Sequence, residues 1–400
     1  MRKRSTRAAL ILACGVAACA DSAVSPDGTL AVPVPDAAVL PGTVIPVPTV
    51  DSLYRVVNNA AYAGAVVQLA PGTYALDPTR SNGGRLELQS GMSLQGSVGN
   101  RADVVIDASA LAAAQYLPNA AGTGTTGAIR LGRGTQRVSW LTVRNAVNGV
   151  SAIATDLDAG PTQLTLSYLN VTGNRRGIDI RSTGSAMAGR VMVVTVSHCV
   201  IENNTANAGQ GIRMLNSDAA TGAVILATFS NNLLRQNRIG LFVGNLATTA
   251  STISLSSTSD VFQNNAVGLG TAAGVASSVA STSNTVSLSM TFPSFLSNTS
   301  AQLSPGFPFN AGLSVEGGTG SGAGLASSNT AAVSIIAPTF SGNIGNSVDI
   351  RAWGARSTSG IVAGTYNVAS VAVVGATPTV VKVASDPVEA VPTNVVSVVP

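Results

Sequence analysis

Apolar residues alternate along much of this chain. In 164–180, LTLSYLNVTGNRRGIDI, they fall at Leu164 and Leu166, then Val171, then Ile178 and Ile180. Period two marks strands, and no copy of this stretch carries a helical period. The stretch recurs in register. Three residues before Asn174 stands Val171, and three after it comes the pair Gly177-Ile178. Ile201 precedes Asn204 in the same way, Leu234 precedes Asn237 and Gly240-Leu241, and Phe262 precedes Asn265 and Gly268-Leu269. Phe295 precedes Asn298, and Phe340 precedes Asn343. Upstream, Val143, Ala146 and Gly149-Val150 fit, with Ala in the Asn position. Gly211-Ile212 and Gly312-Leu313 arrive late, after insertions, and Ser347-Val348 replaces the pair in the last copy. Seven copies thus run from Ser139 to Arg351, 28–45 residues apart from Asn to Asn. Repeats of this length are stacked units that cannot bury their apolar faces alone. Three short strands per unit, joined by polar corners, predict an all-β solenoid, a parallel β-helix with like residues stacked at roughly 4.8 Å.

The asparagine file is joined by a second signal. Leu69-Ala70-Pro71-Gly72-Thr73-Tyr74 is followed by Met92-Ser93-Leu94-Gln95-Gly96 and then by Val104-Val105-Ile106-Asp107. Together they resemble the right-handed parallel β-helix (pectate-lyase-like) superfamily over about residues 50–375. The resemblance implies a right-handed helix and an asparagine ladder, in which an inward Asn bonds backbone and its stacked neighbour. Breaking such a ladder leaves buried polar groups unpaired at about 1–3 kcal/mol each.

Outside the repeats the pattern changes. Leu53, Val56, Val57, Ala60 and Ala61 form one helical stripe, so a short helix over 51–63, started by Asp51 and stopped by Gly64, is expected to cap the open N-terminal end. An uncapped end would expose strand edges. Residues 19–49 carry Pro26, Pro33, Pro35, Pro41, Pro46 and Pro48 and read as a semi-extended tether. The solenoid is expected over 50–375, with last strands at Val371–Val374 and Val380–Val383, and a loose tail over 376–400.

Residues 1–18 pair a basic start (Arg2, Lys3, Arg4, Arg7) with an apolar run, Ala8–Ala18, too short to span a bilayer. Small residues before Cys19 resemble a bacterial lipoprotein signal, which implies cleavage before Cys19, its acylation, and an envelope location on a lipid anchor. The competing reading is an ordinary secretory signal; both export the protein. Without residues 1–18 the remaining 18 basic and 18 acidic residues balance, which disfavours nucleic acid as a partner. Charge is uneven, however: residues 130–238 hold eleven Arg against five acids. After cleavage only Cys19 and Cys199 remain of the three cysteines, and His198 is the sole histidine, so neither a disulfide framework nor a Cys/His metal site is expected.

Three constellations could carry chemistry. Asp179, Arg181 and Arg213 fall at outward positions after the Gly of each copy, as do Ser314, Glu316, Asp349 and Arg351, and Arg130 is placed with them. Asp156 and Asp218 each lie seven residues past a Gly, two coils apart. By the resemblance, lyases place calcium-binding acids and a base on such a sheet, and hydrolases a carboxylate pair. The competing reading is a ladder of surface ion pairs, Asp179 with Arg213. The chain lacks the hydrolase branch's Asp-Asp and Gly-His-Gly motifs, and no run of acids suggests a calcium site, so no cofactor is expected outside the lyase alternative. Second, Arg144, Arg235, Arg175, Arg176 and Arg238 are expected to stack into a basic strip suited to a polyanion, or to form a solvated edge. Third, Trp140, Tyr168 and His198 share one corner position on successive coils, where rings could stack a sugar or each other.

Two functions fit: a non-catalytic, exported β-helix that binds a cell-surface glycan or serves in adhesion or envelope architecture, and a lyase or glycoside hydrolase acting on an acidic polysaccharide. The first is preferred. A concave groove lined by the acids would mark the enzyme; a flat, Ser/Thr-covered sheet would mark the binding protein.

Overall fold

The computed structural model describes residues 38–111, 127–147, 151–155, 162–205, 209–218, 220–276, 279–298, 311–320, 325–343, 348–357, 364–386 and 394–399. Each coil gives one strand to each of three sheets of twelve, nine and ten strands, here the first, second and third. In one coil these are Thr162–Ser167, Asn170–Thr172 and Arg176–Thr183. The next coil pairs with it in parallel: Leu164 with Val194, Val171 with Ile201, Ile178 with Ile212. The fold is a parallel β-helix.

Alternation decides which way each side chain points. Leu164, Leu166, Val171, Ile178 and Ile180 turn inward and are buried. Like residues then stack along the axis, and Phe262, Phe295 and Phe340 form one file with ring centroids 5.1 Å apart at each step. The repeat register holds for Gly177, Gly211, Gly240, Gly268 and Gly312, whose apolar neighbours Ile178, Ile212, Leu241, Leu269 and Leu313 pair in succession. Glycine is required there. A Cβ on Gly240 would stand 2.5 Å from the Gly268 carbonyl oxygen and 3.1 Å from the Asn265 amide nitrogen.

The first and last copies depart from the expected frame. Ile153, not Val150, pairs with Ile178, so Ala152 stands in the glycine position. At the other end Ile350 pairs with Leu313, which puts Asp349 in the glycine position instead of on the outer face. There its carboxylate accepts from Asn343 Nδ2 (3.0 Å) and from the Thr379 backbone (2.9 Å), and so closes the asparagine file.

That file runs as expected. The Oδ1 of Asn204 accepts both the backbone N–H and the side-chain amide of Asn174 (3.0 Å each), and Asn237, Asn265, Asn298 and Asn343 repeat the bond. Each Nδ2 also reaches a carbonyl of the preceding coil, as Asn237 does at Ile201 (2.9 Å). Two further files exist. Asn232 bonds Asp260 at the corner between the first and second sheets, and Asn284, Asn329, Asn367 and Asn394 form a column leading into the first sheet.

The corner holding Trp140, Tyr168, His198, Asn231 and Ser259 is a single left-handed residue, φ 54° to 59°. This region costs a bulky side chain energy. Stacking offsets it, with Trp140 and Tyr168 4.0 Å apart and Tyr168 and His198 4.7 Å.

The N-terminal cap is α1, Val50–Val57, shorter than the stripe suggested. Thr49, not Asp51, is the N-cap, in a capping box with Ser52; the helix ends at Asn58, and Ala60–Tyr62 forms a 3₁₀ turn. Leu53, Val56 and Val57 are fully buried. Ahead of α1, the stretch Val44–Val47 is no tether. It is the first strand of the first sheet and pairs with Val66–Leu69. Its Pro46 is tolerated because the strand lies at the sheet edge. The far end also extends past the expected boundary: Val380–Asp386 and Val395–Val399 join the third and first sheets.

Candidate functional site

The outer face of the third sheet carries two parallel files. One reads Glu87, Arg130, Ala154, Asp179, Arg213, Phe242, Gly270, Ser314, Arg351; the other, two residues on, reads Arg181, Leu215, Gly244, Ala272, Glu316, Trp353. The first half of this face is charged; the second begins with Phe242, Gly244, Gly270 and Ala272 and ends with Ser314, Glu316, Arg351 and Trp353.

Asp179 is the centre of the charged half. Its side chain is fully buried under three arginines. Arg213 approaches as a fork, Nε to Oδ1 at 2.8 Å and Nη2 to Oδ2 at 2.7 Å. Arg181 Nε stands 3.0 Å and Arg176 Nη1 3.5 Å from Oδ2. Burial alone would raise the Asp179 pKa; the charges of Arg213, Arg181 and Arg176 and the Arg213 hydrogen bonds outweigh it and hold the carboxyl well below the ordinary range. Arg176 is pulled down to about 10 by burial and by the neighbouring Arg213, Arg175 and Arg181. Its Nε donates to Gln210 (3.2 Å).

The expected ion pair of Asp179 with Arg213 therefore exists, but it is buried and not on the surface. Asp218 is not part of it. It lies five residues beyond Arg213, exposed, in a left-handed turn after Gln210–Ser217. Asp156 lies outside the described residues, as does Cys19. Arg130 shares the file of Asp179 yet pairs with Glu87. Among the described residues no group of three His, Cys, Asp or Glu side chains is placed to hold a metal ion.

The arginines expected to form one strip divide between partners. On the second sheet Arg144 pairs with Asp107 (2.8 Å) and Arg235 with Glu202 (2.6 Å), so that file reads Asp107, Arg144, Thr172, Glu202, Arg235 and is balanced. Arg176 turns to Asp179. Arg175 and Arg238 remain at the corner, both partly buried and both engaged in interactions. Trp140 and Tyr168 do come together, but on each other: Tyr168 is sandwiched between Trp140 and His198, which leaves neither of its faces for a sugar.

The first sheet differs from the other two. From Thr162 to Val399 none of its outward residues is charged. Hydroxyls stack in two adjacent files, Thr165, Thr195, Thr228, Ser256, Ser289, Ser334 and Ser167, Ser197, Ser230, Thr258, Thr291. Val191, Val193 and Leu226 stand exposed beside them. Eight strands at about 4.8 Å make this face roughly 34 Å long.

No protein-family model matches the chain, and no curated protein matches it. Solved structures do resemble it. A pectate lyase, Pel9A, is 14% identical over 71% of this chain and 70% of its own, at a TM-score of 0.40. Escherichia coli YbhC is 12% identical over 68% and 77%, at 0.41. The A-module of the Azotobacter vinelandii mannuronan C-5 epimerase AlgE6 is 12% identical over 87% and 93%, at 0.36. At this identity the likeness is one of fold alone, and a shared scaffold carries no activity with it.

Proposed function

We propose that the protein is an exported, lipid-anchored β-helix, held at the envelope through Cys19, whose role is to bind a glycan surface without transforming it. The observation that carries this reading is the first sheet. Its outer face is uncharged over eight strands and covered by Ser, Thr and small aliphatic side chains, with Arg137 on the strand just before them. Contiguous exposed surface with apolar character marks interaction sites. Hydroxyls repeated at the strand spacing suit a partner that presents its own repeating hydroxyls.

The alternative, a lyase or hydrolase of acidic polysaccharides, needs acids free to bind calcium in the first case and a carboxylate able to take or give a proton in the second. Asp179 is held ionised with both oxygens bonded to arginine, and Asp218 lies apart from it, which supports the non-catalytic reading.

The test is retention on insoluble polysaccharides, with product release followed in the same tubes. Wild-type protein is expected to be retained on at least one polymer and to release no unsaturated products or new reducing ends. Thr228→Lys with Ser289→Lys places two charges at exposed positions and is expected to abolish retention with an unchanged Tm. New product ends that disappear in Asp179→Ala would overturn the proposal, as would undiminished retention of the lysine variant.

A further inference from the structure

The corner between the first and second sheets carries one left-handed residue per coil, in the order Trp140, Tyr168, His198, Asn231, Ser259, Phe292, Ala337. The rings of the first three stack on one another. Phe292 shares their backbone, φ 54°, but not their stack. Its neighbours in the file, Ser259 and Ala337, bring no ring against it. It is 58% exposed. Phenylalanine is costly at such a place. Positive φ is an outlier for a bulky residue, and Pro293 restricts the residue before it further. A ring left in water also forgoes the burial that an aromatic side chain normally gains. Strain of this kind collects at binding sites.

The surroundings of the ring suit one class of ligand. Thr258 and Thr291 close the second hydroxyl file beside it, and Ile336 and Val374 continue that file as exposed aliphatic residues. With Phe292 they form one contiguous apolar patch, the kind of surface that marks an interaction site. The four first-sheet strands from Thr252–Thr258 to Val368–Val374 carry no charge. Neither do the second-sheet strands on the other side of the corner, Val261–Gln263, Ser294–Leu296 and Thr339–Ser341. An ionic ligand would find no counter-charge on these strands.

We infer that Phe292 is a stacking platform for one neutral pyranose unit of the polymer held by the first sheet. Tyr168 lies 4.0 Å from Trp140 by taking the next place in the file. At the equivalent place beside Phe292 stands the small Ser259, and a sugar ring can supply the missing stack. A pyranose presents its C–H groups as an apolar face and its equatorial hydroxyls at the rim, where Thr258 and Thr291 stand. Glucan and chitin-type polymers offer two such faces per unit; an axial hydroxyl removes one. The inference rests on the glycan-binding reading and adds the aromatic contact that the hydroxyl files lack.

The test measures depletion of the full chain from solution by insoluble cellulose, chitin and mannan, with insoluble pectate as the anionic control. Wild type is expected to bind at least one neutral polymer more tightly than pectate. Phe292→Asn should weaken that binding roughly tenfold, the scale of one aromatic stack. Its Tm should hold or rise, because Asn enters the left-handed region more readily than Phe. Phe292→Tyr keeps a ring and should keep the binding. Undiminished binding by Phe292→Asn, or loss of binding in Phe292→Tyr, would overturn the inference and leave the role of the first sheet standing. A lower Tm in Phe292→Asn would mark a packing role for the ring and overturn it as well, as would a preference for pectate. Self-association in sedimentation that vanishes in Phe292→Asn would assign the ring to a second copy of the chain, again overturning it. No binding of wild type to any polymer would sink this inference together with the glycan role.

Discussion

Arg213 grips Asp179 with two parallel bonds of 2.8 and 2.7 Å, at a carboxylate with no exposed surface. Breaking a buried pair from one side leaves a charge uncompensated and costs about 3–5 kcal/mol, whereas replacing both partners by apolar residues is often neutral. Arg213→Ala is therefore expected to lose stability near the low end of that range, since Arg181 and Arg176 remain. Asp179→Leu with Arg213→Met should recover most of the loss in urea unfolding. The folded pKa of Asp179 is depressed, so its contribution is present above the unfolded carboxylate value and is lost as pH falls below it. Acid unfolding of wild type should begin below about pH 4, and Asp179→Asn should flatten that limb.

Asn237 is the middle of the first asparagine file. It accepts the backbone and side-chain N–H groups of Asn204 (3.1 and 2.9 Å) and donates to the Ile201 carbonyl (2.9 Å). Asn237→Leu leaves buried donors and an acceptor unpaired, each costing about 1–3 kcal/mol. Thermal unfolding should show a large fall in Tm. Asn237→Asp, which keeps the acceptor but not the donor, should fall in between.

Asp260 takes the place of an asparagine in the second file. It accepts from the backbone and amide of Asn232 (2.8 and 2.9 Å) and from the Ser257 hydroxyl (2.6 Å). Burial raises its pKa to about 6, against the lowering effect of those hydrogen bonds. A raised carboxyl stabilises the fold fully below its unfolded pKa, and that stability is lost as pH rises to about 6. Asp260→Asn removes the ionisable group and keeps the acceptor. It is expected to be more stable than wild type at pH 8, by up to about 2–3 kcal/mol at 1.36 kcal/mol per pKa step, and no more stable at pH 4. A difference independent of pH would count against a buried, ionising Asp260.

Cys199 faces the interior beside Leu169, where burial pushes its thiol up to about 12. Its backbone N–H donates to Asn232 Oδ1 (3.0 Å), which ties it to the same file as Asp260. The native protein should not react with a thiol reagent at pH 8, and labelling should appear only in step with unfolding, because the thiolate is the reactive form. Fast labelling of folded protein would show that this corner opens.

Much of this fold is legible because the solenoid repeats its own chemistry. The apolar residue and asparagine of Val171 and Asn174 recur at fixed spacing in six successive coils, and their structural roles are local. The Asn preceding each later first-sheet strand, as in Ser283-Asn284-Thr285 and Ser328-Asn329-Thr330, was an equally local signal for a further ladder. Errors fall where a repeat frays: the insertion before Ala152 and the shift at Asp349 change register by a few residues, which alternation alone cannot place. Proline counting misassigned Val44–Val47, since an edge strand tolerates what a central one does not.

The sequence by itself determined the coil: which residues turn in, where the asparagines stack, and that Asp179 and Arg213 share a face one strand apart. Only the tertiary structure decided what that face became. Burial of Asp179 depends on arginines from three positions closing over it, and the exposure of Phe292 depends on Ser259 and Ala337 flanking it on separate coils. Alternation specifies the direction of a side chain. Whether a neighbour pairs with it, covers it or leaves a gap is set by residues about thirty positions away in the chain, which become adjacent only when the coils stack.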